Sequence, residues 1–263
     1  ILGLLILILQ AFMIAQLANK YHLYEERSFM PAYIYVVLMS LHVALQKLHP
    51  ALIANFFVLV ALDHLFASIK NRRTLRNIFY AALLISIGSL IYLKSFIFLL
   101  LVWITVIFLK RSSLREFLLS VFAAGLPFLF VWAYYFIKTG NTRDFRIDLG
   151  LVAVFKDMHY PLELMDYIAF GFILLIGLIA LLRMFFHLRF RINTTRDQLL
   201  IIFFTLLFVV VAYFTGPFSL EVITFAAVAL SIIIADYFHS IKLTWMTDAV
   251  VYAVLVMLIF VQI

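Results

Sequence analysis

Apolar runs of about twenty residues recur along this chain, separated by short charged or turn-forming stretches, and that recurrence leaves few folds open. A helix rising 1.5 Å per residue needs roughly 20 residues to cross the ~30 Å hydrocarbon layer of a bilayer. The runs are continuous in Leu, Ile, Phe and Val and do not alternate apolar with polar. They therefore read as helices, not as the strands of an outer-membrane barrel. Hydrophobic residues make up 67% of the 263 and charged residues only 13%, which excludes an ordinary soluble domain.

The expected fold class is all-α: one transmembrane domain over residues 1–263, a polytopic bundle of about ten spans. They are placed at 1–19, 29–46, 50–69, 77–93, 95–109, 117–137, 165–182, 198–214, 222–238 and 249–263. Pro31 and Pro161 suit first-turn positions, Ser113 and Glu116 fit a capping box opening the sixth span, and Gly216 with Pro217 breaks the chain before the ninth. The chain opens at Ile1 inside an apolar run with no basic stretch before it, so a native N-terminal segment is expected to be missing.

Basic residues resist translocation, so their distribution sets orientation. With the turn that carries Arg72, Arg73 and Arg76 in the cytoplasm, 14 of the 20 Lys and Arg residues fall on the cytoplasmic side and 6 on the other. The net charge of +7 is thereby explained by topology and by anionic headgroups, and no basic domain is left over to bind nucleic acid. Two connections are long. The cytoplasmic stretch from Arg183 to Asp197 alternates aromatics with arginines and reads as interfacial. The exterior loop over 138–164 is the most polar segment, with Lys138, Arg143, Asp144, Arg146, Asp148, Lys156, Asp157 and Glu163. An extracytoplasmic site belongs there.

No Gly-rich phosphate loop, His-Glu-x-x-His pair or nucleophile elbow is present, and the seven histidines lack ligand spacing, so no metal site is expected. No span carries a charge near its centre; Asp63, His64, Asp166, Glu221 and Asp236 all lie toward span ends, where interfacial anchoring explains them. That pattern disfavours an ion-coupled pump. On the exterior edge, His42, Gln46, Lys47 and His49 close the second span and Lys94 sits at the next exterior turn. Cations here suit a lipid phosphate, with Asp144 and Asp148 as acid/base or metal partners.

From about Leu17 to Leu109 the chain resembles the GT-C superfamily of membrane glycosyltransferases, which take sugars from polyprenyl-phosphate carriers at the exterior face. The matching pieces are AQLANKYHLYEERSFMPA, LHPALIANFFVLVALDHLFASIKNRR and NIFYAALLISIGSLIYLKSFIFLLLVWITVIF. The pattern is similar, more closely still, to an uncharacterised family of bacterial polytopic membrane proteins with GT-C-like hydropathy in the first half. The resemblance implies that the first span here corresponds to the superfamily's second helix, and that its catalytic carboxylate would precede Ile1. It carries over one residue, Lys94 after GSLIY, as a phosphate contact.

The reading that follows is a multi-pass protein of the bacterial inner membrane that transfers or handles a polyprenyl-phosphate-linked sugar at the exterior face. Asp144 and Asp148 are its candidate catalytic residues, and Lys94, Lys138, Arg143, Arg146 and His49 its candidate lipid-phosphate contacts. No cofactor is identifiable; the expected partners are membrane lipid, the polyprenyl-phosphate carrier and other membrane proteins. The competing expectation is a non-catalytic subunit or scaffold of an envelope-assembly or secretion complex. A small-solute transporter fits least, because neither an internal repeat nor matched Gly/Pro-broken spans occur.

Overall fold

The computed structural model describes residues 2–24, 26–70, 74–108, 114–140, 164–215 and 220–240. Among these the chain is almost wholly helical, with no strand. The helices are α1 (Leu2–Lys20), α2 (Met30–Ser40), α3 (Val43–Gln46), α4 (Pro50–Lys70), α5 (Thr74–Ile91), α6 (Leu99–Phe108), α7 (Leu114–Thr139), α8 (Leu164–His187), α9 (Asn193–Phe214) and α10 (Ile223–Ser240). Short 3-10 turns at Leu93–Phe98, Leu188–Phe190 and Leu220–Val222 lead into α6, follow α8 and lead into α10. Six helical stretches are long and apolar enough to cross a bilayer, and Met30–Ser40, Leu75–Ile91 and Leu93–Ile107 are shorter apolar helices. The chain is thus a multi-pass membrane protein by the length and composition of its helices. The apolar run over 249–263, the first-turn position of Pro161, the cap at Ser113 and the Gly216-Pro217 break lie outside the described residues.

Over 29–46 the chain forms two helices. Pro31 occupies the first turn of α2, which ends at Ser40. His42 then takes an extended conformation (φ −142°, ψ 134°), and its Nδ1 accepts the Ala44 N–H at 3.1 Å, capping α3. Hydropathy is blind to this break, because a histidine that caps a new helix is as compatible with an apolar run as one that ends it.

The helices group into two compact units. The first holds residues 1–48, 159–206 and 223–263. Here α10 packs on α2 and α8 and touches α1. Helix α1 has two faces: Leu7, Ala11, Ile14, Ala15 and Ala18 are buried, while Leu4, Leu5, Ile8, Leu9 and Phe12 are about half exposed and suit lipid. Gly3 makes the packing possible at its N-terminus. A Cβ there would stand 2.7 Å from both the Gln46 carbonyl oxygen and the Leu48 nitrogen.

The far end of α1 closes in a Schellman turn. Leu23 N–H donates to the Ala18 carbonyl at 3.1 Å, His22 N–H donates to Asn19 O, and His22 takes the left-handed position with φ 52°. The turn drives Leu23 and Tyr24 into the core. Asn19 then clasps the next connection, its Oδ1 accepting from Ser28 N and its Nδ2 donating to Ser28 O. Backbone groups that lipid cannot solvate are met by side chains.

The second unit holds residues 49–158 and 207–222. Helices α4 and α5 are antiparallel, since Gly88 lies against Ala54 and Phe57 while the rings of His64 and Tyr80 meet at 5.5 Å. The chain then turns sharply, so that Ser95 comes back beside Gly88. Helix α6 descends antiparallel to α7, with Phe96 against Phe128 at 6.0 Å and Trp103 against Phe117 at 5.1 Å. Pro127 sits inside α7 and cannot donate to the Ala123 carbonyl. One residue along, the Ala124 carbonyl accepts the Ser86 hydroxyl from α5.

Replacing Gly3 with Ala is expected to cost about 1–3 kcal/mol, because the added methyl meets backbone and not a movable side chain. Gly171→Ala in α8 meets nothing within 4 Å and is expected to leave stability unchanged or raise it by up to about 1 kcal/mol. Thermal unfolding of the two variants in one detergent checks the contrast, which disappears if Gly3 is not a packing site.

Candidate functional site

The direction of the helices in the second unit places three residues expected from sequence toward one of its ends. Ala54, Gly88, Ser95 and Phe128 belong to one end of that unit. The same end receives the start of α4, the end of α5 and the last turns of α7. His49 precedes α4 and is buried, its carbonyl accepting from Leu52 N at 3.1 Å. Lys94 stands in the 3-10 turn and is half-buried. Lys138 closes α7, exposed, with Nζ 5.9 Å from the centroid of the Tyr134 ring. Arg143, Asp144, Arg146 and Asp148 lie outside the described residues.

Beside Lys94 the surface opens into an apolar groove of about 500 Å³. Leu93, Phe96, Leu99 and Trp103 form one wall, and Phe117, Val121, Ala124, Gly125 and Phe128 form the other. From Phe128 to Phe117 the groove follows three turns of α7, roughly 16 Å at 1.5 Å per residue. Its depth comes from two small residues, Ala124 and Gly125; nothing lies within 4 Å of a Cβ at Gly125. In the same turn the Ser95 hydroxyl is buried against Gly88 of α5, with no hydrogen-bond partner among the described residues. A long apolar groove of this kind suits a hydrocarbon chain.

In the first unit the structure assembles a polar centre that sequence spacing does not reveal. Asp236 of α10 is buried and takes a 2.9 Å ion pair from the Arg191 guanidinium, 45 residues away in the chain. Tyr24, delivered by the turn after α1, donates to the Ile232 carbonyl at 3.0 Å and stacks on the His239 ring at 4.9 Å. Burial pushes the Tyr24 phenol well above its ordinary range; the Asp236 carboxylate adds to this and Arg191 opposes it. Tyr24 therefore stays a neutral donor. Arg183 of α8 donates to the Ser240 carbonyl at 2.9 Å and lies 5.5 Å from the centroid of the Tyr237 ring.

Asp236 reads from sequence as an interfacial anchor, and Arg191 as one of several interfacial cations in the stretch from Arg183 to Asp197. The only signal available was a carboxylate inside an apolar helix, which demands a partner without saying which. A second pairing joins His42 Nε2 to Asp166 Oδ2 at 3.9 Å, where α8 begins. Among the described residues no three His, Cys, Asp or Glu side chains gather as a metal site requires. Comparison with family models, curated proteins and solved structures finds no match to this chain.

The Arg191–Asp236 pair is open to a double-mutant cycle. Arg191→Met leaves a buried carboxylate without its cation and is expected to cost about 3 kcal/mol. Asp236→Asn with Arg191→Met is expected to recover at least 1 kcal/mol of that, read as unfolding midpoints. Strict additivity of the two single changes contradicts the pairing.

Proposed function

We propose that this protein belongs to the bacterial inner membrane as a GT-C-like bundle of about ten spans, and that it transfers or handles a polyprenyl-phosphate-linked sugar at the extracytoplasmic face. The observation that carries the reading is the groove between the 3-10 turn, α6 and α7, with Lys94 next in the chain to Leu93, which lines it. An isoprenoid chain matches an apolar groove, and its phosphate matches a lysine in the adjoining turn. His49 and Lys138 belong to the same end of that unit. The shorter helices α2, α5 and α6 complete the count of crossings in this reading, together with the apolar run over 249–263.

The chemistry is glycosyl transfer. An exterior carboxylate, Asp144 or Asp148, takes the proton of an acceptor hydroxyl; the acceptor oxygen bonds to the sugar C1, and the bond from C1 to the phosphate oxygen breaks. Lys94, Lys138, Arg143 and Arg146 hold the departing polyprenyl phosphate, whose negative charge grows as that bond breaks. Cations at the leaving group and a base at the acceptor are the parts such a reaction needs.

The test is mass spectrometry of lipids retained by the full-length protein after mild detergent extraction. Wild type is expected to retain a polyprenyl-phosphate species. Lys94→Gln removes the cation, and Gly125→Leu fills the groove from a position with open space around it. Each is expected to lower retention about tenfold, equivalent to ~1.4 kcal/mol. Asp144→Ala with Asp148→Ala keeps the lipid and stops transfer to the acceptor. Equal retention by wild type, Lys94→Gln and Gly125→Leu contradicts the proposal.

A further inference from the structure

We infer that the Arg183 end of the first unit is a binding site for the phosphate of an anionic phospholipid in the cytoplasmic leaflet, separate from the groove that carries the proposed function. Arg191 is committed to Asp236 at 2.9 Å, so that carboxylate is neutralised locally. Arg183 makes no ion pair within 4 Å among the described residues, although Asp236 lies near enough to feel its charge. One Nη group donates to the Ser240 carbonyl at the end of α10, and the cation stands against the Tyr237 ring. Its Nε is buried with no acceptor among the described residues.

A buried guanidinium N–H without an acceptor is costly, and a planar fork with one edge still unmet fits a phosphate oxygen better than a solvated chloride. Two imidazoles stand nearby, as does Asp236 in its pair with Arg191. His187 lies one turn on, its Nδ1 3.1 Å from the Arg183 carbonyl, and His239 lies on α10 beside Tyr24. Arg189, in the 3-10 turn after α8, is exposed and without an ion-pair partner among the described residues.

The occupant is identified as a lipid by the surface that runs up to the site. Leu175, Ile179, Leu182 and Phe186 lie on one face of α8 at helical spacing, each exposed, with Phe186 at 75%. Arg183 flanks that stripe near its cytoplasmic end. An acyl chain laid along the stripe brings its phosphodiester to the guanidinium. The basic bias of this side of the chain, seen in sequence, supplies the long-range attraction that concentrates anionic lipid there.

The experiment uses the full chain in neutral detergent and reads the unfolding midpoint during titration with phosphatidylglycerol, phosphatidylcholine or inorganic phosphate. Phosphatidylglycerol is expected to raise the midpoint by roughly 5 °C at saturation, and the other two to leave it unchanged. Arg183→Gln is expected to abolish the rise, while Arg196→Gln, whose partner is Asp197 at 3.5 Å, retains it. Native mass spectrometry of wild type gives a second measure that needs no variant: phosphatidylglycerol is expected to remain bound in preference to phosphatidylcholine. An equal rise with inorganic phosphate overturns the lipid assignment. So does an undiminished rise in a folded Arg183→Gln, or a wild type that retains both lipids alike.

Discussion

Hydrocarbon does not solvate a peptide group, and that constraint underlies every local choice in this chain. Helices are the first answer, because they satisfy backbone donors and acceptors within one segment. The points where helices end or bend are the harder cases. The Schellman turn at His22, the Asn19 clasp on Ser28, the His42 cap on α3 and the Ser86 hydroxyl on the Ala124 carbonyl each supply a partner where the regular ladder fails. These devices also decide the function-bearing geometry. The turn at His22 carries Tyr24 to α10, and the stretch around Pro127 lies beside the small residues that form the groove.

Within the apolar class, the helices separate by how much of each is covered. The span ending in α10 is 72% buried, whereas that of α7 is 22% buried. A helix buried on most sides can hold a carboxylate if a cation reaches it, and α10 holds Asp236 under Arg191. A helix largely facing lipid presents instead a surface, and on α7 that surface is concave where Ala124 and Gly125 leave room between Phe117 and Phe128. Polar centre and apolar groove are thus two outcomes of the same composition. Which one forms depends on what packs against the helix.

Helix existence was legible from the apolar runs, because length and continuity carry that information directly. The expected spans at 1–19, 50–69 and 222–238 fall within α1, α4 and the stretch from Leu220 to Ser240 with small shifts at their ends. Tertiary pairing was not legible. Nothing in the spacing of Arg191 and Asp236 distinguishes that pair from the other arginines of the same stretch, and nothing at Tyr24 marks it as a core residue. The groove was not legible either, because whether Ala124 and Gly125 leave a gap or a close contact depends on what packs against them. Lys94 was singled out as a cation at an exterior turn and, through the GT-C resemblance, as the basic residue after GSLIY; the structure adds that its neighbour Leu93 lines an apolar groove.

The central claim is that the groove holds one class of lipid and is not simply another stretch of lipid-facing surface. A photoreactive phenylalanine analogue at Val121, which lines the groove, and at Phe130, which is exposed on the same helix outside it, tests this in native membranes. After irradiation, mass spectrometry identifies the adducts at each position. The account requires a polyprenyl phosphate at Val121 and bulk phospholipid at Phe130. The same bulk phospholipids at both positions contradict it.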